Sequence, residues 1–411
     1  MRIAFCDMGF SWPPPGGAQV DLHHTMSALQ RSGYDVRLFA PVYEDLWRHG
    51  HFDPAALPYP ATPLPFVWEK VTAQRLCRAF RRAIDDWRPD VAFVGFGRYF
   101  KPHLIHALNG YPIICRYYMY EHLCLRNFWL FLEGQTCPND YLRTPNVCRA
   151  CALDLWGPHL STGEWTPYGS ELLRSGALTP GYHSVFTRAL SKCRVVIVNN
   201  AMAVERVRDF CPYACVVPGG VTLSDYDPYV PLEEKAPNER KVILMSGRAD
   251  DPLKGLDVLV HACAALAEWR SDFVVWVTGV DDPVRKPWYK ACGWLDPQGV
   301  RDLYRQADIV AIPSVWDEPY GLVAVEAMAA GRPVVASRVG GLQHIVRPGE
   351  TGHLFERESS AGLALLLNRL LDDPGELRRM GRRSREIAEA EYDWRRIVDT
   401  HYPPLLERAL Q

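Results

Sequence analysis

"ADIVAIPSVWDEPYGLVAVEAMAAGRPVVAS", residues 307–337, decides the reading of this chain. An apolar run closes on Pro313-Ser314, a Pro-Tyr-Gly turn follows, small apolar residues continue at helical spacing, and "RPVVAS" begins a new apolar run. Strand, helix, strand in that order is the repeating unit of a parallel sheet covered on both faces. Two acids stand inside it: Glu318 before the turn, and Glu326 among alanines and valines that suggest burial.

The same alternation extends in both directions. "RIAFCDMGF", "DVRLFAP", "VAFVGFG", "PIICRYYMY" and "RVVIVNN" read as buried strands in the first half; "KVILMSGR", "DFVVWVTG", "ADIVAIPS", "RPVVAS" and "GHLF" do so in the second. Amphipathic stretches such as "AQVDLHHTMSALQRSGY" and "GLDVLVHACAALAEW" lie between them. The pattern breaks at "DYDPYVPLEEKAPNER", residues 225–240, which is polar and carries prolines. With 411 residues against a prior of about 100–200 per domain, the chain divides into two α/β domains. The expected limits are a Rossmann-like domain over 1–222, a linker over 223–240, a second domain over 241–394 and a final helix over 395–411. Pro403-Pro404 should break that helix and send its end back across the first domain.

A formal net charge of −2 argues against a nucleic-acid partner. No apolar run reaches the roughly 18 residues of a spanning helix. The start "MRIAFCDMGFSWPPPGG" makes a poor signal peptide, because Asp7 interrupts a short apolar run. Cytosol is therefore the default compartment.

Open parallel sheets bind ligands at the carboxyl ends of their strands, where helix N-termini point outward. Pro319 and Gly321 mark such a helix start, so the N–H groups near Tyr320, Gly321 and Leu322 favour an anion, a diphosphate above all. Glu326 lies five residues beyond Gly321, roughly 7–8 Å along a helix. That is the step from a diphosphate to a ribose, whose vicinal hydroxyls a carboxylate accepts well. Glu318 would sit across the phosphates, where a sugar would hang. A Glu-x7-Glu pair alone is more often a loop acid and an ion-pair partner. Here "SGRADDPLKG", residues 246–255, adds Arg248 and Lys254 at the end of the second domain's first strand, two cations fit to neutralise a leaving diphosphate. Gly16-Gly17 in "PPPGGAQVDLHH" opens a helix after the chain's first strand and lets backbone approach a ligand closely, without being the dinucleotide fingerprint.

On Gly16-Gly17, Arg248, Lys254-Gly255, "EPYGLVAVE", "RPVVASRVGG" and "GETGHLF", the chain resembles a retaining glycosyltransferase of family 4 (glycosyl transferases group 1, E-x7-E motif) over nearly its whole length. The resemblance implies the GT-B fold, two facing doubly wound Rossmann-like domains with an interdomain cleft, the acceptor on the N-terminal domain and the donor mostly on the C-terminal one. It implies that Glu326 binds ribose, Glu318 the transferred sugar, and Arg248 and Lys254 the diphosphate. Backbone at Gly321 and Leu322 would assist, with Gly17 touching phosphate. It also implies no catalytic metal ion and no enzymic nucleophile, and the sequence offers no clear triad. Two positions depart from the family pattern. Tyr118, with His122 a helical turn later, stands where a sugar-contacting His is usual, and His344 stands where Glu is common.

The expected activity is therefore transfer of a sugar from a UDP-, GDP- or dTDP-sugar to an acceptor hydroxyl of a natural product, lipid-linked glycan or polysaccharide. The alternatives are a nucleotide-sugar epimerase or phosphorylase on the same fold, or a non-catalytic binding module. Cys124, Cys137, Cys148 and Cys151 lie in an insertion over about 120–155 and close with C-x2-C. Four thiolates could hold a structural zinc, the same ligands suit an iron–sulfur cluster, and buried free thiols are the plain reading. Arg75, Arg78 and Arg82 share one helical face, which reads as a solvated surface or as a peripheral contact with an anionic bilayer. The aromatics of "CRYYMYEH" and "NFWLF" read equally as core or as an acceptor wall.

Overall fold

The computed structural model describes residues 1–14, 16–45, 50–126, 130–162, 167–232, 239–281 and 284–411. Pro15, part of the 223–240 linker and most of "NFWLF" lie outside the described residues. The chain forms two compact units, one of residues 1–132, 137–218 and 397–411, the other of residues 133–136 and 219–396.

The first unit is built on seven parallel strands. They are β1 (Arg2–Cys6), β2 (Asp35–Tyr43), β3 (Ala61–Phe66), β4 (Val91–Val94), β5 (Ile113–Arg116), β6 (Val195–Val198) and β7 (Ala214–Val216), in spatial order β3-β2-β1-β4-β5-β6-β7. The central strands β1, β4, β5 and β6 are buried almost throughout, which is why they read as continuous apolar runs. The helix Trp394–Leu410 is unbroken and holds both Pro403 and Pro404, contrary to the expected break. Its turns are fixed by burial of Ile397, Val398, Tyr402, Leu405, Leu406 and Ala409, and that packing outweighs two lost backbone donors. The Tyr402 hydroxyl lies 3.3 Å from Thr25 Oγ1 and accepts from Arg116 Nη1 at 3.3 Å, within a buried set completed by the Arg116–Asp21 ion pair at 2.8 Å.

The second unit carries six parallel strands: β8 (Lys241–Met245), β9 (Phe273–Val277), β10 (Tyr289–Ala291), β11 (Ile309–Ile312), β12 (Val334–Ser337) and β13 (Gly352–Phe355), ordered β10-β9-β8-β11-β12-β13. Successive side chains face opposite layers. Ile243, Ala311 and Val335 pack with Leu259, Leu266 and Leu367 on one face, while Leu244, Val310 and Ala336 pack with Ala324, Val325 and Met328 on the other. Residues 223–232, expected to be linker, belong to this unit: Tyr226 and Leu232 are buried, and Arg385 pairs with Asp227 at 2.8 Å. The order reverses between β8 and β11, from whose ends the chain departs in opposite directions. That switch point is where such sheets leave a crevice at their strand ends.

Candidate active site

The chain leaves β8 through Ser246-Gly247-Arg248 and tightens into a 3₁₀ turn over Pro252–Lys254, whose cap Asp251 accepts from the Leu253 N–H at 3.0 Å. Gly255 follows at φ +78°, and a Cβ there would lie 1.9 Å from the Pro313 carbonyl oxygen at the end of β11. The lack of a side chain lets the two strand exits touch, and this contact brings Lys254 against the loop from β11. Lys254 Nζ donates to Glu318 Oε1 at 2.6 Å, and Ser314 Oγ donates to the same oxygen at 2.7 Å. The pair is partly open, with side chains 27% and 10% exposed. Trp316 lies beneath, its ring centroid 5.6 Å from the ammonium. Arg248 is 64% exposed and only loosely paired with Asp251 at 3.5 Å, so its guanidinium is available at the crevice rim.

The Glu318 loop is held from behind. Its carbonyl accepts from Gly341 N–H at 2.7 Å, while Asp317 accepts from Gly340 N–H at 3.0 Å and pairs with Arg357 at 2.8 Å. Gly321 takes φ +118°, with space for its missing Cβ filled by Leu342, and starts the helix Leu322–Ala329. The Tyr320 hydroxyl donates to the Gly219 carbonyl at 2.5 Å, which fixes its ring.

On that helix Glu326 accepts from the Tyr304 hydroxyl at 3.0 Å, and Tyr304 lies 2.5 Å from Ser246 Oγ at the β8 exit. Desolvation raises the Glu326 pKa to about 7; the Tyr304 hydrogen bond and the Arg301 charge oppose that rise. The acids and cations named from the sequence, Arg248, Lys254, Glu318 and Glu326, thus stand around one switch point. Sequence reasoning missed Ser314, Ser246 and Tyr304. Tyr304 sits in "DLYRQADIV", where the spacing marks it only as a core residue.

The other sequence candidates lie in the first unit. Gly16 is an extended N-cap and Gly17 the first residue of the helix Gly17–Arg31. Tyr118 and His122 are both buried, and the segment between them forms bends and turns, not the helix expected. Burial, with Lys101 nearby, holds the His122 pKa down to about 3, which favours the neutral ring, and that ring packs on Tyr117 at 4.6 Å. His344, in the second unit, is exposed.

Cys148 and Cys151 lie one turn apart on the helix Pro145–Thr162, and the Cys148 pKa is raised to about 12, by burial first and then by Cys124 and Cys137 nearby. Cys148 Sγ lies 3.8 Å from Thr144 Oγ1, and Cys151 Sγ accepts from Arg126 at 3.6 Å. Among the described residues no three His, Cys, Asp or Glu side chains are gathered to hold a metal ion, and no helix is long and apolar enough to cross a membrane.

Residues 16–219 match the family model described as glycosyl transferase 4-like domain, and residues 232–387 match glycosyl transferases group 1. The chain is 40% identical over 175 residues to the D-inositol 3-phosphate glycosyltransferase of Corynebacterium efficiens, covering 38% of this chain and 41% of that one. It is 33% identical over 223 residues to the MMP alpha-(1->4)-mannosyltransferase of Mycolicibacterium hassiacum, covering 50% and 51%. The aligned part thus spans about half or less of these relatives' lengths. Among solved structures, sucrose-phosphate synthase from Thermosynechococcus elongatus superposes with TM-score 0.66 at 20% identity, covering 100% of this chain and 99% of that one. Anabaena HepE in complex with UDP gives TM-score 0.66 at 17% identity, covering 99% and 100%. At these identities the common property is the fold.

Proposed function

The chain belongs to the GT-B glycosyltransferases, with a 4-like domain followed by a group 1 domain, and from that premise we propose that it moves a sugar from a nucleotide-sugar donor to an acceptor hydroxyl with retention of configuration. The observation that carries the proposal is the meeting of Lys254 with Glu318 at 2.6 Å on the switch point where Glu326 also faces. A nucleotide sugar suits this set: cations for its diphosphate, one acid for its ribose, another for its sugar. HepE has been solved with UDP and with UDP-glucose, and on that ground we propose UDP as the first donor nucleotide to test.

In this reading Arg248 and Lys254 neutralise the charge that grows on the β-phosphate as the glycosidic bond to it breaks. Lys254 can pass from Glu318 to the phosphate without leaving its place. Glu318 then accepts hydroxyls of the transferred sugar and fixes its ring, held by Ser314 and the Gly341 amide. The acceptor hydroxyl attacks on the face that the phosphate leaves, and the phosphate oxygen takes its proton, so no side-chain nucleophile is needed. Were the acceptor lipid-borne, the exposed Arg75, Arg78 and Arg82 on the helix Ala73–Trp87 form the surface that would meet an anionic bilayer.

The test is a calorimetric titration of UDP, GDP and dTDP against wild type and Glu326→Ala, followed by donor-consumption assays with and without acceptor. One nucleotide should bind, and Glu326→Ala should weaken it by about 1.5–3 kcal/mol for each hydrogen bond lost to the carboxylate. Binding of neither free nucleotides nor intact nucleotide sugars would sink the proposal. Donor loss without acceptor dependence would favour an epimerase or phosphorylase.

A further inference from the structure

We propose that Tyr304 and Ser246 form a positioning relay that orients Glu326 as an acceptor, so that recognition of the donor's ribose is set by a residue no ligand can touch. This inference rests on the reading of Glu326 as the ribose acceptor.

The geometry assigns the direction of each hydrogen bond. A carboxylate only accepts, so the Tyr304 hydroxyl must give its single proton to Glu326 Oε2, 3.0 Å away. Ser246 Oγ, 2.5 Å from that hydroxyl, must then donate to Tyr304. The relay therefore runs one way, from the β8 exit through the phenol to the carboxylate. It also fixes which oxygen remains for ligand: Oε2 is taken from the protein side, which leaves Oε1.

Tyr304 itself cannot move to accommodate a ligand. It is fully buried on the helix Pro297–Gln306, whose N-cap Asp296 accepts from Gly299 N–H at 2.7 Å. Its carbonyl accepts from Arg332 Nε at 2.9 Å, and Arg332 is itself buried. The groups that face Glu326 from neighbouring elements are Tyr304 and Arg301 on this helix, Ser246 after β8, and Tyr226 before it; Arg301 also lies 3.5 Å from Asp225. Among these, Tyr304 is the group that donates a hydrogen bond to the carboxylate. Burial favours the protonated acid and the Tyr304 bond favours the charged one, so the phenol extends the pH range over which Glu326 is an acceptor. A protonated Glu326 would present one hydroxyl of its own and would hold vicinal diols less well.

The experiment measures affinity for whichever of UDP and GDP the wild type binds, and for its 2′-deoxy counterpart, across about pH 5.5–8.5. Wild type should favour the ribonucleotide by on the order of tenfold, the worth of one hydrogen bond to a charged group. In Tyr304→Phe that preference should fall to within about twofold, and the pH at which binding is half-lost should move upward, because the bond that lowered the Glu326 pKa is gone. Ser246→Ala should move both readouts the same way by less, and it decides the matter alone if Tyr304→Phe does not fold. Glu326→Gln separates the two claims. If Glu326→Gln leaves the ribose preference intact, the ribose assignment fails and the relay with it. If Glu326→Gln abolishes the preference while Tyr304→Phe and Ser246→Ala keep the wild-type ratio and pH midpoint, the relay alone is overturned. Equal loss of both nucleotides in Tyr304→Phe also overturns it.

Discussion

Lys254 is tied to Glu318 at 2.6 Å, so Lys254→Ala removes the counter-charge of a buried acid and, on the proposed reading, a partner for the donor's phosphate. Turnover should fall by about 10²–10³, the usual cost of one electrostatic donor to a developing charge, with a smaller change in donor affinity; initial rates against donor concentration separate the two. Glu326 has a second consequence, for stability. Its folded pKa of about 7 lies above the ordinary value of 4.5, so between these limits the folded chain holds a proton that the unfolded chain releases. Stability from this group is complete below pH 4.5 and declines as pH rises through 7. Buried Glu171, also raised to about 7, and Asp7 and Asp21, raised to about 6, act with the same sign. Melting of the ligand-free protein should therefore drop between about pH 5 and 7, and Glu326→Gln should make that slope shallower. The acids and cations of the site could be named from sequence because charge in an apolar run stands out. Ser314, Ser246 and Tyr304 could not, because a hydroxyl beside a strand looks the same whether it binds a carboxylate or merely fills space.

At the scale of elements, the strands that could be read were those whose residues form an apolar run. β1, β2, β4, β5, β6, β8, β9, β11, β12 and the edge strand β13 announce themselves this way. β3 does not, since Pro63 and Pro65 lie within it, and an edge strand tolerates the lost donors that a central one would not. β7 and β10 are three-residue edges, too short for any pattern to register. His122 was misplaced for a related reason: a helical turn was assumed in a segment that turns without forming a helix. The join between the β8 and β11 exits is the element contact most open to test. Gly255→Ala would push a methyl into the Pro313 carbonyl and strain a left-handed residue, a cost of at least about 3 kcal/mol. Thermal unfolding should fall by roughly 6–12 °C, and donor binding should suffer beyond that because Lys254 is the preceding residue. Asp251→Ala, which removes only the cap of the 3₁₀ turn, should cost about 1 kcal/mol.

At the scale of the molecule, both units wind their sheets in the same sense from a central first strand, outward one way and then the other. That symmetry was legible because the strand–helix alternation restarts at "KVILMSG". The assignment of residues was harder to read, since residues 219–232 pack within the second unit although their composition is that of a linker. Removal of residues 397–411 should strip the first unit of six buried apolar or aromatic side chains and of the Tyr402 bond to Arg116, destabilising it by several kcal/mol, on the order of 1.5–3 per large side chain. Limited proteolysis should then cut residues 1–218 while sparing the group 1 domain.

The same discontinuity bears on how the protein is made. The first unit takes its last fifteen residues from beyond the second unit. A ribosome working from the N-terminus therefore completes every strand of the first sheet, then the whole of the second unit, before the segment that closes over Arg116 and Asp21 emerges. Throughout that interval the nascent first unit carries an uncovered apolar strip and a buried-type ion pair facing water. Chaperone occupancy on translating ribosomes should persist across the synthesis of the second unit and end only after Leu410 clears the exit tunnel.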